Sequence, residues 1–67
     1  MATYKITEIV GTSPLSFAEA VKEGVAEASK TIRNMAWFEV VEQRGSIVDG
    51  AVREFQVTMK IGFKIER

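Results

Sequence analysis

The sequence has no cysteine and no histidine. The first absence excludes disulfide staples, thiolate metal sites and thiol nucleophiles. The second removes the commonest zinc ligand and the commonest general base near neutral pH. An excess of one charge sign is lacking too: nine basic residues balance nine acidic ones, which leaves no electrostatic footprint for nucleic acid. No apolar run approaches the ~18 residues a membrane span needs, and no signal-peptide pattern opens the chain. The expectation is a cytoplasmic protein with neither nucleic acid nor membrane as partner. Repeats, linkers and low-complexity tracts are missing, so residues 1–67 read as a single domain, near the lower size limit for folding on its own core. A scaffold this small needs a staple, and with disulfides and metal set aside, oligomerisation remains.

What is present is strongly patterned. Residues from about Thr3 to Val10 mix β-branched and charged types and read as a strand, which the turn chemistry of Gly11-Thr12-Ser13-Pro14 should end. Ser16-Phe17-Ala18-Glu19 is a capping-box pattern opening a helix expected to run to about Asn34. Phe17, Val21, Val25, Ala28 and Ile32 recur at helical spacing as its apolar stripe, with the small residues Gly24 and Ala28 suited to close approach to a sheet. Acids lead and bases trail along it, matching the helix dipole at both ends.

The second half reads as a long β-hairpin. With Asp49-Gly50 as a two-residue turn, residues whose numbers sum to ninety-nine face each other. One face then pairs Phe38 with Ile61, Val40 with Met59, and Arg44 with Phe55. The other pairs Trp37 with Gly62, Glu39 with Lys60, Val41 with Thr58, and Gln43 with Gln56. A bulge near Gly45 would shift this register by one. The expected fold is α+β with β-α-β-β order: a three-stranded antiparallel sheet wrapped around one helix. Phe38, Val40, Phe55, Val57, Met59, Ile61 and Phe63 should pack on the helical stripe. The second sheet face, with Trp37, Val41, Gln43, Gln56 and Thr58, is too apolar for free solvent and too polar for a core, and so looks like an assembly surface.

That face holds the only tryptophan. Trp37 suits either a stacking platform for a planar ligand or a packed residue at a subunit interface. Gln56 carries an amide that both donates and accepts, fit for a pyrimidine-like edge or for a cross-strand pair with Gln43. Arg44 offers a fork of N–H donors to a phosphate, or only a solvated charge. Glu39, Glu42 and Glu54 are flanked by Lys60, Arg44 and Arg53, which favours ordinary ion pairs over catalytic acids. Serines and threonines have no histidine partner, so no catalytic site is assigned.

Trp37-Phe38-Glu39-Val40, Gln43-Arg44-Gly45 and Phe55-Gln56-Val57-Thr58 through Lys60-Ile61-Gly62-Phe63 resemble the dodecins, as do Gly11-Thr12-Ser13 and Lys30-Thr31-Ile32-Arg33. The likeness spans nearly the whole chain and is closest to the bacterial type. It implies a flavoprotein that assembles as a hollow homododecamer and binds flavin, with FMN preferred over riboflavin or other flavins. Flavins would stack in pairs between symmetry-related Trp37 rings, Gln56 would bond the pyrimidine edge, and Arg44 would contact the phosphate. Family members are regarded as flavin stores and quenchers, not enzymes; some also bind coenzyme A. The alternative is a structural module whose outer face only joins subunits. A small flavoenzyme ranks last, because stacked flavins would block substrate space. Trp37 and Gln56 lie about 20 Å apart along the strands at ~3.3 Å per residue, so both can meet one ring only if they come from different chains.

Overall fold

The β-branched and charged residues at the start of the chain form β1 (Tyr4–Ser13), and the Ser16-capped segment forms α1 (Phe17–Ala28). The hairpin follows as β2 (Met35–Val48) and β3 (Ala51–Lys64). The structure is a computed structural model and describes residues 1–66. The sheet is antiparallel throughout, in the order β1-β3-β2, which is the expected β-α-β-β arrangement around a single helix. No helix among the described residues is long and apolar enough to cross a membrane.

Two boundaries differ from the sequence expectation. β1 does not stop at Val10: Gly11, Thr12 and Ser13 continue the ladder opposite Val57, Gln56 and Phe55. Gly11 is there for packing, not for turning. A Cβ on it would collide with the Ala20 carbonyl, and would lie 3.1 Å from the Gly24 Cα where the helix passes closest. The reversal comes later, where the buried Ser13 hydroxyl accepts from the Leu15 amide at 3.0 Å. Ser16 then caps α1, its hydroxyl accepting from the Glu19 amide at 3.0 Å.

The helix ends at Ala28, not near Asn34. The Ser29 hydroxyl donates to the Ala26 carbonyl at 2.6 Å. The Lys30 and Thr31 amides then bond the carbonyls three residues back, at 3.2 and 3.1 Å. Such tightening, followed by β-branched Thr31 and Ile32, closes the helix. Asn34 adopts a left-handed φ of 63°, and its carbonyl accepts from the Lys64 amide at 3.0 Å, tying the start of β2 to the end of β3. The last helical turn therefore carries no base. Lys30 lies beyond it and pairs with Glu27 at 2.9 Å.

The turn and the outer half of the hairpin register match the sum of ninety-nine. Asp49 and Gly50 have φ of 53° and 78°, as a type I′ turn requires. Trp37 faces Gly62, Phe38 faces Ile61, Glu39 faces Lys60, and Val40 faces Met59. Between them the ladder is offset by one. Val41 is an extra residue in β2, so Glu42 faces Thr58, Gln43 faces Val57, Arg44 faces Gln56, and Gly45 faces Phe55. The offset closes between Ser46 and Ile47, where Arg53 is the extra residue in β3. The expected pairs Val41–Thr58, Gln43–Gln56 and Arg44–Phe55 do not form. Since side chains alternate along a strand, the slip brings Arg44 to the face of Gln56 and turns Gln43 towards the helix side.

Ala20, Val57 and Met59 form the buried centre, with Ile9, Phe17, Val21 and Val25 packed around them. Phe17 meets Phe55 edge to face, with centroids 5.0 Å apart. Phe38 and Val40 were expected in this core, yet they remain 52% and 40% exposed because α1 packs chiefly on β1 and β3. The chain is also extended, 51 × 20 × 14 Å, with a radius of gyration of 13.7 Å where a compact chain of this length would have about 11 Å. Its accessible surface of 4977 Å² exceeds the roughly 4200 Å² of a compact monomer of its mass. Much apolar surface is left for another chain to cover.

Candidate functional site

Alternation along the three strands sends Tyr4, Ile6, Glu8 and Val10 of β1 to the sheet face away from the helix. They join Gln56, Thr58, Lys60 and Gly62 of β3, and Trp37, Glu39, Glu42 and Arg44 of β2. This face carries two clusters of different chemistry.

At one end Trp37 crosses over Gly62. The benzo half of the indole occupies the space a Cβ at Gly62 would need, colliding with its Cε2, Cζ2 and Cη2. The ring reaches over β3 to Tyr4 on β1, with centroids 5.0 Å apart and planes inclined by 53°. The indole is thus held on one side by backbone and phenol while it remains 42% exposed. Tyr4 was not singled out from the sequence. The signal was its place in the apolar alternation of Tyr4, Ile6 and Val10, which becomes meaningful only once β1 is known to pair with β3 and not β2.

About 20 Å along the same face, at ~3.3 Å per residue, lies a polar network. Arg44 Nη2 donates to Thr58 Oγ1 at 2.7 Å and to Glu42 Oε1 at 2.8 Å. Arg44 Nη1 makes a longer contact of 3.4 Å with Gln56 Oε1. Gln56 Nε2 donates to Glu54 Oε1 at 2.9 Å, so both ends of its amide are oriented. The bulge at Val41 is what brings Arg44 to this group. Within one chain the structure gathers Arg44 with Gln56 and leaves Trp37 apart from both. No group of three or more acidic metal ligands occurs among the described residues.

A family model described as Dodecin matches residues 3–66. The chain belongs to the dodecin family. Dodecin from Streptomyces davaonensis superposes with a TM-score of 0.96 and is 48% identical, covering 98% of this chain and 97% of that one. The dodecin of Thermus thermophilus is 44% identical over 63 residues, which is 94% of this chain and 91% of the relative. A more distant relative from Mycobacterium tuberculosis, named calcium dodecin, is 28% identical over 65 residues, or 97% of this chain and 92% of its own. The resemblance seen in the sequence and the β-α-β-β fold are both borne out. Membership in the dodecin family implies a homo-oligomer that takes a small-molecule ligand.

Proposed function

We propose that this chain is a non-catalytic flavin-binding protein that stores and buffers FMN and quenches its excited state. In this reading twelve copies form a hollow cytoplasmic shell, and each flavin stacks on Trp37 at a seam between subunits. The observation that carries it is an indole held flat against Gly62 and braced by Tyr4, yet left 42% exposed. The ring is fixed on one side and open on the other, so it offers a broad apolar surface to a planar partner from outside the chain. An indole in contact with an excited flavin donates an electron and dissipates the excitation. Gln56, its amide oriented by Glu54 and Arg44, selects the ring edge from a neighbouring chain, and Arg44 selects a phosphorylated tail.

Trp37→Ala tests the reading directly. Aromatic stacking worth about 1–3 kcal/mol corresponds to a rise of about 5- to 150-fold in the Kd for FMN, together with loss of fluorescence quenching. Unchanged affinity and unchanged quenching would favour the rival, in which the same face serves only to join subunits. Phe38 and Val40, exposed on the opposite, helix side of the sheet, offer apolar surface for assembly in either case.

A further inference from the structure

We infer that Glu42 sets how strongly this site prefers a phosphorylated flavin over an unphosphorylated one, by competing with the ligand's phosphate for Arg44. The inference rests on the flavin-binding reading and adds to it a residue that never needs to touch the isoalloxazine. Nη2 of an arginine carries two hydrogens, and here both are engaged, one by Thr58 Oγ1 and one by Glu42 Oε1. A phosphate seeking the end-on fork of Nη1 and Nη2 meets a nitrogen already holding a carboxylate. The competitor is local by construction: Glu42 stands two residues from Arg44 and so shares its side of β2, and the bulge at Val41 turns both towards Thr58 and Gln56, so the carboxylate is always within reach.

Within one chain the pair is open enough to exchange and is not locked in place. The Arg44 and Glu42 side chains are 39% and 62% exposed, in the range where an ion pair contributes little and exchanges readily. A dianionic phosphate offers more charge and more acceptor oxygens than one carboxylate, so it displaces Glu42, while an uncharged ribityl hydroxyl does not. Thr58 and Gln56, both neutral, keep the guanidinium aimed along the face during the exchange.

The test compares FMN with riboflavin in the assembled protein, using fluorescence quenching to obtain each affinity. Glu42→Gln keeps the shape and removes the charge. The expected result is about a two- to fivefold rise in the ratio of FMN affinity to riboflavin affinity, the size of one exposed ion pair. The same substitution made on top of Arg44→Gln should leave the ratio where Arg44→Gln alone puts it, because the competition then has no object. A ratio equal in the parent and Glu42→Gln overturns the inference while flavin binding stands. A fall in the ratio overturns it too, because Glu42 would then be holding Arg44 in place for phosphate. A rise of equal size with and without Arg44 reduces the effect to bulk charge and likewise overturns it. Absence of any flavin binding by the parent protein is a different failure, that of the underlying functional reading, and takes this inference with it.

Discussion

Met59 and Val40 face each other across one ladder, both apolar and both on the helix side of the sheet, yet Met59 is fully buried and Val40 is not. Ile61 and Phe38 repeat the contrast one step along. The difference is the reach of α1. On β3 the helix covers the inner face; on β2 the same face looks past it. Alternation of side chains therefore identifies which residues avoid water, but not which molecule removes them from it. One strand completes a core within the chain, and its neighbour awaits another copy.

The sharpest way to break this comparison is to truncate both sides of it. Met59→Ala should destabilise the fold by about 2–5 kcal/mol, read as a lower urea midpoint. Phe38→Ala should act instead on assembly, with native mass spectrometry showing smaller species. Equal loss of assembly from both variants would show that the two positions do not differ as described. A second cut falls on the outer face. Gly62→Ala adds a methyl where the Trp37 ring lies, forcing the indole off its seat. About tenfold weaker FMN binding with altered tryptophan emission is expected, from overpacking worth roughly 1–3 kcal/mol. The smallest effect belongs to the helix surface. Glu27→Gln removes the pair with Lys30, both largely exposed, and should change stability by less than about 0.5 kcal/mol, within the error of a denaturation curve.

Much of the fold was legible because strong local signals agreed: the Ser16 cap, the helical stripe, and an Asp49-Gly50 turn that admits little but a type I′ hairpin. The register near Trp37 was also recovered, since the two offsets that follow the turn cancel before Val40 is reached. What was hidden is the stretch between them. A one-residue shift was anticipated near Gly45, and one occurs beside it where Arg53 is the extra residue, but nothing in the composition marks Val41, so the faces of Gln43 and Arg44 came out reversed. The length of β1 was misread for a related reason. Gly11 resembles a turn signal, but its role depends on a helix backbone passing over it, which is a tertiary fact. Trp37, Gln56 and Arg44 were all named from the sequence. That Arg44 is shared among Glu42, Thr58 and Gln56 depends on the same unseen slip.

The beginning of β1 and the end of β3 lie side by side, with the Ile65 amide bonded to the Thr3 carbonyl at 2.9 Å and Tyr4 opposite Lys64. Tyr4 in turn touches the indole. A bulky group attached near Thr3 or Ile65 would therefore crowd the aromatic cluster and disturb the optical signals by which the protein would be assayed. Labels belong instead on the Asp49-Gly50 loop, about 40 Å away along the strands at ~3.3 Å per residue.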